Sequence, residues 1–528
     1  MIARSGLRSG AKFLASRQRH QLRWGPLLPL GFIAIFFYQP LFRILSESFG
    51  AKSFGYLTSA STYSVLWFTL WQALLSTVIA LCLAIPSGYL LYRVRVPGSR
   101  IISSLIAVPF ILPTIVVAIA VKSIWRDGGI TALIFANVLM NYGFATRLIG
   151  TGWARLDHAI EEAAALDGAG KIRTFFTISW HGLSETLRST GLLIFLYCSA
   201  NFGLMLVIGG GRLHSLETGI YLATTQLLDL HLAGAYVLLQ LLVTLTALFV
   251  MKRTRGVTAF TNLPTYRGKL TVREWPVVVF VSATILVMLV IPMARIFYQA
   301  LQTSIGFGLQ NYRNLITHGS HATLSITVSD ALRNSARNAA VSMAIALPLG
   351  LYLATTRTRL LLSLFRIPVG ISTLILGLGY LITFTSGGFP LRSSWLVTPI
   401  AQSIALIPLV VQIVAPQQEA IGPDLRDIGK VDGLSAFEYW RLIELPLLRQ
   451  PIAVAVGYIA LISLGEFGAA NLLSYGDQAT LPTILYQLVS RPGAINFGMA
   501  LAASTLLIEV SALITLCVEL GNYSKSPE

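Results

Sequence analysis

The sequence is poor in charged residues. Only 12% of its 528 residues are Asp, Glu, Lys or Arg, whereas about 25% is usual in soluble globular proteins. The mean hydropathy is +0.70, and 55% of the residues are hydrophobic. These values exclude a soluble globular chain and indicate a protein that is embedded in a lipid bilayer.

Cysteine and catalytic groupings are scarce as well. Cys82, Cys198 and Cys517 lie far apart in apolar runs, which fits neither a disulfide framework nor metal-ligand spacing. We find no phosphate-binding G-x-x-x-x-G-K-[ST] loop and no pair of groups at a spacing suited to catalysis inside a membrane. The sequence therefore predicts a chain that is not an enzyme and that binds no metal or cofactor itself.

Apolar runs long enough to cross a bilayer recur along the whole chain. About 20 residues suffice, because a helix rises 1.5 Å per residue. Lipid offers no water to unpaired backbone groups, so we expect each run to be helical. The fold class predicted is an all-α polytopic membrane protein with about twelve transmembrane helices. The runs cover residues 25–44, 65–91, 101–124, 130–149, 191–210, 232–250, 275–298, 338–354, 367–385, 396–415, 452–473 and 497–519.

The few charges are unequal in sign, with 39 Lys and Arg against 22 Asp and Glu, a net charge of +17. Most of the basic residues fall in the loops of one side of the predicted membrane protein, as is typical of cytoplasmic loops. The charge therefore predicts an orientation with both termini in the cytoplasm. The charge gives no sign of a nucleic-acid partner; the lipid bilayer is a partner because of the apolar runs.

The second half of the sequence repeats the first. Gly168 and Gly433, like Phe202 and Phe467, are equivalent residues at an offset of 265. Six spans in each half make the repeat parallel, which relates the halves by an axis along the membrane normal. The predicted boundaries are a cytoplasmic basic tail 1–24, a first repeat 25–251, a cytoplasmic linker 252–274, a second repeat 275–519 and a cytoplasmic tail 520–528.

Two polar stretches, 161–183 and 427–448, interrupt the apolar pattern at equivalent places in the halves. In each, a glycine follows an acidic residue by six positions and precedes an aromatic-rich turn of helix. A short helix, a glycine turn and an apolar knob form a shape that is suited to docking in a groove of another protein. One such loop alone would be explained by capping of the helix bundle, with its aromatics at the membrane interface. Two copies in register on one side favour docking.

The pattern E-A-A, three residues, Gly, nine residues, Ile-x-Leu-Pro resembles the signature loop of the membrane subunits of ATP-binding-cassette (ABC) importers. The first copy keeps five positions of this pattern: Glu162, Ala163, Ala164, Gly168 and Ile178. The second copy opens with Asp427 in place of the glutamate and keeps four positions: Gly433, Ile443, Leu445 and Pro446. The first copy has Trp180-His181 where the family has Leu-Pro, so the two loops differ in detail.

The resemblance implies the MetI-like fold of type I importers, with two permease halves fused in one chain of the bacterial inner membrane. Each loop would sit on one of two cassette ATPase subunits, expected as a homodimer, and ATP would bind to those partners. An external binding protein would deliver the solute to a path between the halves.

Fused double permeases of this kind resemble thiamine and iron(III) importers. Glu217, Ile220 and Tyr221, after the run Gly209–Gly211, are more similar to the thiamine branch, whereas the segment 464–469 also resembles oxyanion permeases.

Four polar residues in the apolar runs are candidates for the solute path: Glu466, Asn201, Asn141 and Tyr142. An acid at mid-bilayer costs about 3 kcal/mol, so Glu466 should face the interior of the bundle. There it could attract a cation, or it could hydrogen-bond a neighbouring helix and fix the packing. Asn201 is its equivalent in the first half.

The main alternative is a secondary active transporter, which can also have a 6+6 parallel repeat. Such a carrier would place its longest cytoplasmic stretch between the halves. Here the long cytoplasmic loops lie inside each half, which favours the importer permease.

Overall fold

The computed structural model describes residues 26–48, 51–252, 268–303, 306–319, 324–356, 359–386, 394–491 and 493–523. Within these ranges nine helices are long and apolar enough to span a membrane, or eleven if each of two bent pairs is one span. The prediction of an all-α membrane protein is thereby confirmed, but the count of twelve spans is not. The predicted tail 1–24, residues 253–267 of the linker and residues 524–528 lie outside the described residues.

The helices of the first half alternate between long spans and short segments. They are α1 (Leu27–Glu47), α2 (Ala51–Leu57), α3 (Ala60–Arg93), α4 (Ser99–Ile111), α5 (Thr114–Lys122), α6 (Ile130–Arg155), α7 (His158–Leu166), α8 (Lys171–Thr174), a π-helical turn (Phe175–Ser179), α9 (Trp180–Ser199), α10 (Phe202–Ile208), α11 (Leu216–Thr225) and α12 (Leu230–Lys252).

The second half has the same order of elements. Its helices are α13 (Trp275–Leu301), α14 (Gln310–Arg313), α15 (Val328–Thr355), α16 (Arg359–Arg366), α17 (Thr373–Ser386), α18 (Val397–Ala420), α19 (Pro423–Val431), α20 (Ala436–Tyr439), a π-helical turn (Trp440–Glu444), α21 (Leu445–Gly465), α22 (Gly468–Leu473), α23 (Leu481–Ser490) and α24 (Ala494–Tyr523).

Two short strand pairs lie outside the helices. β1 (Val94–Arg95) pairs in parallel with β2 (Gly268–Lys269), which joins the end of the linker to the first half. β3 (Gln302–Thr303) and β4 (Gly306–Phe307) form a small antiparallel hairpin after α13.

Four of the predicted spans are not single straight helices. The run 101–124 bends by 98° between α4 and α5, at Pro113, whose ring cannot continue the helix, whereas Pro109 lies inside α4. The run 191–210 bends by 50° between α9 and α10, and the run 452–473 breaks between α21 and α22. The run 367–385 corresponds to a 3₁₀ turn (Ile367–Gly370) followed by the 14-residue α17.

Equivalent contacts recur in the two halves. The backbone N–H of Leu216 donates to Thr69 Oγ1 at 3.0 Å, and that of Leu481 donates to Ser335 Oγ at 2.9 Å. Both bonds tie the start of a short helix, α11 or α23, to the second long helix of its own half, α3 or α15. The repeat that the sequence shows is therefore also a repeat of tertiary contacts.

The first span of each half packs against the other half. In α1, Tyr38 donates its hydroxyl hydrogen to the carbonyl of Leu364 at 3.1 Å, and α1 packs along α17. In α13, the Gln299 side-chain amide donates to the carbonyl of Ser123 at 3.3 Å, and α13 packs against α3 and α5. The two halves are thus interlocked, and the largest cluster of buried apolar side chains contains residues from both.

Small residues allow close helix contacts inside each half. A Cβ atom on Gly143 of α6 would meet the backbone carbonyl oxygen of Ile106 in α4. Close backbone approach of this kind is a main source of helix association in lipid, where the hydrophobic effect gives little help.

Candidate functional site

The predicted docking loop of the first half is a helix, a glycine turn and a second helix. We name residues 157–179 loop 1. Asp157 starts α7, because its side chain accepts a hydrogen bond from the backbone N–H of Ala159 at 2.9 Å. Gly168 ends the helix with φ +80°. The N–H of Ala169 then donates to the carbonyl of Ala164 at 2.9 Å, and the N–H of Gly168 to that of Ala165 at 3.1 Å. This pair of bonds is a Schellman motif.

Loop 2, residues 422–444, repeats this geometry. Gly433 has φ +74°, and the N–H of Leu434 donates to the carbonyl of Gly429 at 2.9 Å. Nothing lies within 4 Å of the Cβ positions of Gly168 and Gly433. Glycine is needed at both places because of the left-handed backbone, and not because of crowding.

Each loop presents an apolar residue two positions before its glycine. Leu166 is 89% exposed and Val431, its equivalent in the second half, is 86% exposed. Ile160 and Leu425 are a second equivalent pair, exposed to 53% and 40%. The sequence pattern alone did not single out these four positions. The spacing of 265 residues pairs these apolar positions, but only the structure shows that they are exposed.

The residues predicted from the signature pattern lie in these two loops, except Leu445 and Pro446, which begin α21. Glu162, Ala163, Asp427 and Pro446 are exposed, whereas Ala164, Ile178, Ile443 and Leu445 are partly buried. His158 Nε2 lies 3.2 Å from Glu162 Oε1. Their role in coupling stays a prediction.

The two loops are attached to the membrane helices by different polar contacts. In loop 1, Glu161 Oε2 lies 2.6 Å from Nη2 of the buried Arg93 at the end of α3, and Ser179 donates to Glu161 Oε1 at 2.9 Å. In loop 2, Glu444 occupies the place of Ser179 and accepts a hydrogen bond from Gln418 at 3.1 Å. The loops are therefore similar in shape and unequal in chemistry.

Glu466 and Asn201 both accept hydrogen bonds from the helix that follows them, at the breaks between α21 and α22 and between α9 and α10. The N–H groups of Ala469 and Ala470 donate to the two carboxylate oxygens of Glu466 at 2.8 and 3.1 Å. The N–H of Leu204 donates to Asn201 Oδ1 at 3.3 Å. Each side chain thus caps the short helix that follows it. The expectation that Glu466 lies inside a continuous span is wrong, because its carboxylate starts a new helix.

An aromatic cluster lies between the halves next to these caps. The rings of Phe202 and Phe467, equivalent residues, stack with centroids 5.2 Å apart and planes inclined by 18°. Tyr221 packs on Phe202 at 5.3 Å, and Tyr486 packs on Phe467 at 5.6 Å. Because all four rings obey the 265-residue offset, the pseudo-twofold axis passes between the two phenylalanines.

Comparison with known proteins agrees with this architecture. The chain is 26% identical over 511 residues to the thiamine transport system permease protein ThiP of Brucella abortus (strain 2308), covering 87% of this chain and 88% of the relative. It is 24% identical over 498 residues to the protein of the same name from Escherichia coli (strain K12), covering 85% and 89%. This chain is a homologue of thiamine transport system permeases.

A second kind of permease matches part of the chain. A probable sulfate transport system permease protein of Chlorokybus atmophyticus is 25% identical over 207 residues, which are 35% of this chain and 71% of the relative. No family model matches the chain. The resemblance to importer permeases that the loops indicate is confirmed by these similarities.

Asn141 and Tyr142 lie between helices of the first half of the chain. Tyr142 Oη lies 2.7 Å from Ser87 Oγ, which joins α6 to α3. Asn141 donates to the carbonyl of Asn137 at 2.9 Å and to Cys198 Sγ at 3.5 Å. These contacts fix helix packing, and a role of either residue in the solute path stays a prediction.

A buried acid that the hydropathy pattern places outside the spans lies on the same helix as Tyr221 of the aromatic cluster. Glu217 in the first turn of α11 has no exposed surface. Ser372, from the other half, donates its hydroxyl hydrogen to Glu217 Oε2 at 2.8 Å. Glu217 Oε1 has no hydrogen-bond partner among the residues that the structure describes. The sequence marks Glu217 as similar to the thiamine branch but does not assign it a place in the path.

Proposed function

We propose that the chain is the membrane-spanning subunit of an ABC importer and forms the path for a thiamine-type solute. It would lie in the bacterial inner membrane with both termini in the cytoplasm. Two cassette ATPase subunits would hold ATP and dock on loops 1 and 2, and an external binding protein would deliver the solute. The names of the relatives support the solute, and the pattern of basic residues supports the orientation.

The observation that carries the proposal is the exposed apolar pair Leu166 and Val431. Both side chains are exposed on polar loops, at equivalent positions next to the glycine turns. An apolar side chain that is exposed at the tip of a rigid, polar loop is suited to a pocket on a partner. A loop that merely capped the bundle would turn these side chains toward the membrane helices.

Each loop is continuous with a helix that reaches the centre of the permease. Through the π-helical turns, loop 1 runs into α9 and loop 2 runs into α21. These helices have 20 and 21 residues, which is a length of about 30 Å. They end at the breaks beside Phe202 and Phe467, so a displacement of either loop would be transmitted to the aromatic cluster between the halves.

The proposal is tested by reconstituting the permease in liposomes with its ATPase and binding protein. We expect thiamine uptake that requires ATP on the side of the membrane where the ATPase binds. No uptake is expected when the ATPase is left out. Uptake that is driven by a proton gradient without any ATPase would refute the proposal in favour of a secondary active transporter. ATP-dependent uptake of iron(III) and not of thiamine would keep the permease role and replace the solute.

Charged substitutions at the loop tips test the docking surface directly. Leu166→Asp and Val431→Asp should each weaken binding of the ATPase by roughly tenfold or more, because an aspartate must be desolvated in an apolar pocket. Val272→Asp is the matched control, since Val272 is 83% exposed but lies outside both loops. Equal affinity of all three variants for the ATPase would contradict the docking role.

A further inference from the structure

A buried carboxylate lies one helical turn from an aromatic ring of the cluster at the interface of the halves. Glu217 and Tyr221 are four residues apart on α11, so their side chains lie on the same face of this helix. Tyr221 packs on Phe202, which stacks on Phe467 of the other half. From this juxtaposition we propose that Glu217 and the aromatic cluster are the site in the membrane that binds the solute, and that the solute is a flat organic cation.

The site contains two acidic side chains. Glu217 and Glu466 lie in the same interface, beside the first turns of α11 and α22, and neither forms an ion pair with a basic side chain of the described part of the chain. The two oxygens of Glu466 are used by backbone N–H groups. Glu217 instead keeps Oε1 without a hydrogen-bond partner among the described residues. A buried acceptor of this kind favours a cationic partner.

The second half has no copy of this acid. The residue equivalent to Glu217 at the offset of 265 is Pro482, which has no side-chain polar atom. The aromatic rings are present in both halves, whereas the carboxylate is present only in the first half. The site is therefore one-sided and suits a solute with a positive charge at one end, such as a heteroaromatic cation.

The aromatic rings fit the flat part of such a solute. Aromatic faces attract cations because of their quadrupole, and they stack on planar rings. In the present structure the centroids of Phe202 and Phe467 are 5.2 Å apart. A ring between them needs contacts of about 3.5 Å on each face, or about 7 Å in all. The site is thus closed here and would open when the halves move apart.

This inference rests on the proposed function, and it is tested with transport by the complete complex. The probes are thiamine and its neutral isostere, in which a thiophene ring replaces the charged thiazolium. Glu217→Gln keeps the size of the side chain and the acceptor for Ser372. We expect it to lower uptake of thiamine relative to the isostere by roughly 30-fold or more, because a buried charge pair is lost.

The double variant Phe202→Leu with Phe467→Leu should lower the ratio of thiamine uptake to isostere uptake by about tenfold, because the cation–ring interactions are lost. Glu185→Gln, on the exposed surface of α9, is the control and should leave the ratio unchanged. A purely structural role of Glu217 would lower uptake of both probes equally. An unchanged ratio in the variants of Glu217 and of the two phenylalanines would overturn the inference.

A wrong assignment of the solute would give a different result from a wrong assignment of the binding site. If the wild-type complex takes up no thiamine, the proposed solute is wrong, and the site is then tested by equilibrium binding of N-methylpyridinium to the complex in lipid nanodiscs. Weaker binding by Glu217→Gln than by the wild type supports the site. Equal binding by the two proteins refutes it.

Discussion

Gly168→Val and Gly433→Val are expected to weaken the attachment of the ATPase subunits without unfolding the permease. Both glycines have left-handed backbones, with φ of +80° and +74°, and nothing lies within 4 Å of either Cβ position. The cost is therefore backbone strain alone, about 1–2 kcal/mol for a residue with a Cβ atom. A β-branched residue is poorly tolerated there, so valine should shift each loop away from the Schellman turn.

A strain of this size corresponds to a 5- to 30-fold weaker binding of the ATPase for each loop, if the turn must form before docking. The assay is the dissociation constant of the ATPase subunits for the permease in nanodiscs, measured together with the melting temperature of the permease. We expect the dissociation constant to rise and the melting temperature to stay within a few degrees, because both loops are exposed.

The chain offers matched controls for this prediction. Gly170 lies in loop 1, has no positive φ and has nothing within 4 Å of its Cβ position, so Gly170→Val should bind the ATPase like the wild type. Gly168→Asn should retain most of the affinity, since asparagine tolerates the left-handed region. The reasoning would be refuted if Gly168→Val and Gly170→Val had the same effect.

Three further predictions concern the membrane part. Gly143→Ala should separate α4 from α6 and lower the melting temperature of the permease, whereas Gly31→Ala, with open space around its Cβ, should not. Glu161→Ala should destabilise loop 1 by about 3 kcal/mol, because it leaves the buried Arg93 without its carboxylate, and hydrogen exchange in α7 should rise. Glu466→Ala removes the acceptor for two N–H groups and should cost about 1–2 kcal/mol, measured as a lower unfolding midpoint that Glu466→Gln partly restores.

The loops could be predicted from the sequence because their signals are local. An acid, a glycine six residues later and the same spacing in the second half give both the position and the type of turn, and Gly168 and Gly433 take the left-handed conformation that ends a helix. The exposed tips required the structure, since Leu166 and Val431 are ordinary apolar residues in a chain that is 55% hydrophobic.

The interior of the permease was harder to predict, because apolar composition does not distinguish a continuous helix from two joined ones. The breaks after Ser199 and Gly465 depend on single side chains, Asn201 and Glu466, that cap the next helix. Hydropathy also places the stretch between residues 210 and 232 outside the spans. In the structure that stretch contains α11, whose residues Leu216 and Glu217 are fully buried.

The crossing of α1 and α13 onto opposite halves has a consequence for biogenesis. When the ribosome has finished residue 252, the surface of α1 that will face α17 still has no protein neighbour, and the first half still lacks α13 against α3 and α5. Each half therefore lacks packing partners that the other half supplies, and final assembly must wait for synthesis of the whole polypeptide. Gene fragments split within the linker should therefore yield a working permease only when both are made in the same cell.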